Sequence, residues 1–191
     1  MPAPERRAEI VAATLPLLKQ HGTAVTTRQI AEAAGIAEGT IFRVFADKDA
    51  LIDAVVEAAF DPAPTEAALG SIDVTLPLEP RLVRAVDILR RRVTDIFQLM
   101  SALGMRPSSG DRSDLAGRRK LPGLDVLAAL FEPDRDDLSR SPQDAAQVLR
   151  GLTLVGTHPL LVLDGPMTSE EIVSLVLDGV RTHDPSGGAS C

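Results

Sequence analysis

The residues whose types and spacing point most clearly to chemistry lie between Thr27 and Phe45, where two short helices are expected to meet across a tight turn. With Thr27 as the first position, the fifth is Ala31, small enough for two helices to touch, and the ninth is Gly35, which tolerates the positive φ of such a turn. Ile30, Ala34, Ile36 and Ile41 flank these positions and would lock the crossing. A pair of this kind is rigid: the first helix braces across a nucleic-acid backbone while the second is free to enter the major groove. The competing reading of the spacing is an ordinary helical hairpin that happens to own an Ala and a Gly.

The elements that position these residues are legible around them. Glu5–His21 reads as a helix, with Ile10, Ala13, Leu17 and His21 near one face, Gly22 as its cap and a kink rather than a break at Pro16. Thr26-Thr27-Arg28-Gln29 is a capping-box pattern that opens a two-turn helix, Thr27–Ala34. Glu38–Phe45 is the second short helix, and Asp47 is the expected N-cap of Lys48–Phe60, whose apolar face is Leu51, Ile52, Val55, Val56 and Ala59.

Residues 61–80 hold four prolines and Gly70, a connector with one short helix at Thr65–Leu69. A long amphipathic helix, Pro80–Leu103, follows, and its Arg90-Arg91-Arg92 triplet reads as a solvated face. Residues 106–123 read as a mobile loop, Leu124–Phe131 as a helix, and Ser141-Pro142 as the start of a helix that His158-Pro159 must end or kink. Thr168-Ser169-Glu170-Glu171 is a second capping box, for a last helix to about Thr182. No segment alternates over strand length, so the chain reads as all-α.

Several classes of function are disfavoured. No Ser/His/Asp, Cys/His or paired-carboxylate arrangement falls on a face or loop that would assemble it, so no enzyme is expected. His21, His158 and His183 are scattered and Cys191 stands alone, so neither a disulfide framework nor a metal site is expected, and no cofactor. No apolar run reaches the roughly 18 residues of a membrane span, and the N-terminus lacks the apolar stretch of a signal peptide. Of the 191 residues 45% are hydrophobic and 25% charged, and a soluble cytoplasmic protein without a membrane partner is the expectation. The net charge of −7 lies wholly beyond residue 50, because residues 1–50 carry six basic and six acidic groups. The N-terminal segment thus escapes the acidic background that would repel phosphates.

The run from Thr26 to Leu51, TTRQIAEAAGIAEGTIFRVFADKDAL, closely resembles the DNA-binding domain of the TetR family of bacterial transcriptional regulators, and with the preceding helix the likeness covers roughly the first 55 residues. The resemblance implies a three-helix, helix-turn-helix DNA-binding domain over 1–48 and a helical effector-binding and dimerisation domain over 49–184; the Gly/Ser-containing tail at 185–191 is expected to be disordered. It implies a homodimeric regulator, mostly a repressor in this family, that binds a pseudo-palindromic double-stranded DNA operator and is released by a small-molecule effector. The alternative is a helical interaction module whose helix-turn-helix no longer binds DNA. Three departures from the family pattern bear on this choice: Phe42 where tyrosine is usual, Val44 where histidine is common, and Ala37-Glu38 in place of Ser-Lys. They imply weaker phosphate anchoring or a distinct operator.

Carried over residue by residue, the resemblance makes Lys48 a phosphate contact at a helix start. Thr27 and Arg28 are phosphate candidates, and Arg28 is also a candidate for a guanine edge. Glu38 is either an acceptor for a cytosine amino group or a helix-dipole residue. Gly39 allows close backbone approach, Thr40 suits a phosphate or a thymine methyl, Phe42 packs against the sugar-phosphate backbone, and Arg43 contacts phosphate or base. Arg6 and Arg7 are candidates for the flanking backbone. In the family the last two long helices, here Pro142–Leu161 and Ser169–Thr182, form a four-helix bundle with the partner subunit. Val148, Leu152, Val155, Ile172, Val176 and Val180 are the expected dimer interface, and Phe97, Met100, Leu127, Phe131 and His158 the expected lining of a mainly apolar effector pocket.

Overall fold

A computed structural model describes residues 3–104, 121–159, 161–162 and 165–180, and every regular element among them is helical. In chain order these are α1 (Ala3–His21), a 3-10 turn (Gly22–Ala24), α2 (Thr27–Ala33), α3 (Glu38–Val44), α4 (Lys48–Phe60), α5 (Ala63–Gly70) and α6 (Leu78–Ala102). They continue with α7 (Leu124–Ala128), a 3-10 segment (Glu132–Asp137), α8 (Pro142–Thr157) and α9 (Ser169–Val180). The loop expected at 106–123 falls mostly, and the tail at 185–191 wholly, outside the described residues, as do the last two residues of the helix expected to reach Thr182.

Contacts divide the chain into two compact units, Met1–Asp61 with Asp95–Leu121, and Pro62–Thr94 with Pro122–Cys191. The long helix α6 therefore gives its earlier turns to the second unit and its last two to the first.

The core of the first unit gathers Ile10, Leu18, Val25, Ile30, Ile41, Phe45, Leu51, Val55 and Leu99. Pro16 lies inside α1 without dividing it. The buried face of α1 differs from the expected one: Ile10, Thr14 and Leu18 are buried, while Ala13 and Leu17 are half-buried and His21 is exposed. Thr14 can be buried because its hydroxyl donates to the Ile10 carbonyl at 2.6 Å, which leaves its methyl as the packing surface. Gly22 adopts φ +55°, and a Cβ there would stand 2.3 Å from the Ala102 carbonyl oxygen. The Lys19 ammonium also meets Asp95 at 2.5 Å. The end of α6 is thus held to the end of α1 by close backbone approach, by an ion pair and by the fully buried Leu99.

The second unit packs Leu69, Leu82, Val86, Leu89, Leu127, Leu130, Phe131, Leu149, Ile172, Val173 and Val176. Arg81 is buried and ion-paired with Asp134, a partner a buried guanidinium needs. The arginine triplet is not the solvated face expected of it. Only Arg91 is exposed, whereas Arg90 Nη1 donates to Ser169 Oγ at 3.1 Å and Arg92 Nη1 to Thr65 Oγ1 at 3.3 Å. The same Ser169 hydroxyl donates to Asp87 at 2.5 Å, tying α6 to the start of α9. In the turn before α6, Asp73 accepts from the Thr75 hydroxyl and amide, and these bonds hold its carboxyl below the ordinary aspartate range. Ser141 caps α8, which ends at Thr157, short of the expected Leu161, because Pro159 cannot continue it.

Candidate nucleic-acid interface

The local hydrogen bonding explains why α2 and α3 form a rigid pair. The Thr26 side chain accepts from the Gln29 amide at 3.2 Å while Gln29 Oε1 accepts from the Thr26 amide at 2.9 Å, so both orphan donors are satisfied and α2 starts cleanly. At its other end Gly35 takes φ +65°. The Gly35 amide donates to the Glu32 carbonyl at 3.1 Å and the Ile36 amide to the Ala31 carbonyl at 3.0 Å. Those two bonds make a Schellman stop, which needs a residue at ease with positive φ. Ala31 is buried between the helices, as its spacing predicts. Asp47 accepts from the Ala50 amide at 2.7 Å and starts α4.

With Ile41 and Phe45 buried beneath it, α3 turns Glu38, Gly39, Phe42 and Arg43 outward as one exposed strip, and Thr40 and Val44 are half-buried at its sides. Phe42 is 52% exposed. Arg28 and Arg43 are exposed, and among the described residues neither has an acidic or hydrogen-bonding partner. The other lysines and arginines among the described residues of the unit are engaged, Lys19 with Asp95. Lys48 Nζ donates to the Thr23 carbonyl at 2.6 Å, Arg6 pairs with Glu9 at 3.0 Å, and the Arg7 guanidinium sits 4.4 Å from the centre of the Phe45 ring. Thr27, half-buried, donates its hydroxyl to the Glu38 carboxylate and so joins the first turn of α2 to the first turn of α3. Sequence reasoning placed both residues near DNA but missed that they bind each other. Eleven positions separate them, and only the turn geometry brings them together.

The residues expected to line a pocket are distributed over both units. Met100 packs against the core of the first, and Phe97, on the same stretch of α6, is half-buried. Leu127 and Phe131 are fully buried in the core of the second, and His158 is half-buried at the end of α8. The residues expected at a dimer interface also separate. Val148 and Val155 are each 49% exposed on α8 and Leu152 is half-buried, but Ile172, Val176 and Val180 face the core of their own unit. The outward apolar residues instead include Leu154 on α8 and Leu175 on α9. A shallow groove between α8 and α9 is lined by Arg140, Asp144, Gln147, Val148, Leu175 and Gly179, together with the buried Val176 and Val180.

Two short helices joined by a Schellman turn, with a solvent-facing strip on the second and two arginines that have no partner among the described residues, define a helix-turn-helix protein. Residues 10–55 match the family model for bacterial regulatory proteins of the tetR family. The helical fold is similar to that of solved TetR-family structures. It is similar to a Mesorhizobium loti protein of that family at 19% identity and TM-score 0.61, covering 95% of this chain and 100% of the other. It is also similar to a TetR transcriptional regulator from Streptomyces coelicolor, at 23% identity and TM-score 0.56 over 93% of this chain and 99% of the other. A third similar structure is the TetR-like regulator LfrR from Mycobacterium smegmatis in complex with proflavine, at 23% identity and TM-score 0.52 over 93% and 96%. No helix among the described residues is long and apolar enough to cross a membrane.

Proposed function

We propose that this chain is a homodimeric transcriptional repressor that docks α3 in the major groove of a pseudo-palindromic operator and is released when a small molecule binds its second unit. The observation that carries the reading is the pairing of an outward α3 strip with Arg28 and Arg43, two exposed cations with no partner among the described residues. Unpaired guanidiniums beside a groove-sized helix suit phosphate oxygens and guanine edges. Thr27, Glu38, Gly39, Thr40, Phe42 and Lys48 complete the proposed contact surface. Self-association is supported by Val148, Leu154, Val155 and Leu175, which leave apolar area on the outer faces of α8 and α9. A two-fold dimer would set two α3 helices about 34 Å apart, the repeat of the major groove. That one similar structure is a complex with proflavine supports an effector site in this fold.

A salt titration on random duplex DNA tests the first step. The expected outcome is affinity that falls steeply between low and moderate salt, since counterions are released at each phosphate contact. The alternative, an interaction module without DNA binding, is favoured by the Glu38 carboxylate on the outward strip, and it predicts no retention at any salt. Linkage tests the second step. An effector that weakens operator binding must itself bind less tightly, by the same factor, once operator is present. Equal effector affinity by calorimetry with and without operator would contradict effector release.

A further inference from the structure

We propose that Phe42, rather than packing against the sugar-phosphate backbone, is a base-reading residue, its ring seated on the 5-methyl group of a thymine in each operator half-site. The proposal rests on the DNA-binding reading above and adds the chemistry that α3 recognises. The other phenylalanines of the N-terminal helices, Phe45 and Phe60, are buried at 3% and 7% exposure, whereas Phe42 stands in water at 52%. It occupies the outward strip, four residues after Glu38 and next to the unpaired Arg43, so it travels wherever that strip docks. Gly39, one turn earlier, has no side chain and no atom within 4 Å of where a Cβ would be, which leaves the ring an unobstructed approach.

A phenyl ring brings no donor or acceptor to a phosphate. In the major groove the apolar group that a base edge presents is the thymine C5 methyl, and phenylalanine is one of the side chains that contacts it. Flanking the ring, Arg43 carries hydrogen-bond donors and Glu38 acceptors, each suited to polar base edges rather than to a methyl.

The test removes the methyl from the DNA rather than the ring from the protein. Operators are selected from a random pool with the full chain, and each thymine is then replaced singly by deoxyuridine, which keeps every hydrogen bond and lacks only the methyl. One position per half-site is expected to lose about fourfold in affinity, the worth of one buried methyl-sized group. Phe42→Ala is expected to bind the thymine and uracil duplexes equally. Because the wild-type measurement changes only the DNA, it does not depend on how that variant folds. The proposal is overturned by a selected half-site without thymine, by affinity unchanged at every uracil position, or by a uracil effect that persists in Phe42→Ala. Salt-sensitive binding without uracil sensitivity would sink this inference alone, whereas no salt-sensitive binding at all would sink the DNA-binding reading with it.

Discussion

At the scale of single residues, several members of the proposed contact surface are already engaged within the chain. Lys48 holds the Thr23 carbonyl, tying the start of α4 to the turn before α2, and Thr27 holds Glu38, tying α2 to α3. An ammonium has three donors, and the bond to Thr23 leaves two for a phosphate. Replacing Lys48 with Ala is therefore expected to do two things. Operator and random duplex should both bind more weakly to a similar degree, with the salt slope reduced by about one per subunit. Thermal unfolding should also show a loss of about 1 kcal/mol from the missing hydrogen bond. Unchanged affinity on both duplexes would remove Lys48 from the contact surface. The buried Thr14 carries a related lesson: a hydroxyl satisfied within its own helix packs like an apolar side chain, so polarity alone misplaces the inner face of α1.

At the scale of elements, the helix ends matter more than the helix middles. The capping box of α2 and its Schellman stop lie within eleven residues, and each is built from bonds that reach no more than five positions. The two glycines that terminate α1 and α2 share a positive φ but differ in surroundings. Around Gly35 nothing lies within 4 Å of where a Cβ would stand, while at Gly22 the Ala102 carbonyl occupies that space. Gly35→Ala is expected to cost about 1–2 kcal/mol, the left-handed penalty alone. Gly22→Ala must cost more, because the end of α6 has to move as well. Equal melting temperatures for the two variants would show that α6 does not press on Gly22 in solution.

At the scale of the whole molecule, the same apolar helix serves two surfaces, and burial tells them apart. On α9, Val176 is core and its neighbour Leu175 is 54% exposed. Leu175→Asp is expected to yield a folded monomer in sedimentation, with near-normal thermal unfolding and much weaker operator binding, since the two α3 helices lose their fixed spacing. Val176→Asp should instead unfold the second unit, because an unpaired carboxylate in an apolar core is strongly destabilising. A Leu175→Asp protein that remains dimeric would place the self-association surface elsewhere.

The sequence by itself determined the all-helical class, the caps, the turn at Gly35 and the run of residues on which DNA recognition is proposed. Those features depend on hydrogen bonds and φ preferences between near neighbours, so composition and spacing express them directly. Tertiary structure alone decided the rest: that Arg90 and Arg92 are tied to Ser169 and Thr65, that Ile172, Val176 and Val180 turn inward while Leu175 turns out, and that α6 divides between two units. Each of these depends on a partner tens of residues away. An amphipathic helix with apolar residues on more than one side does not say which side is covered until the other elements have packed against it.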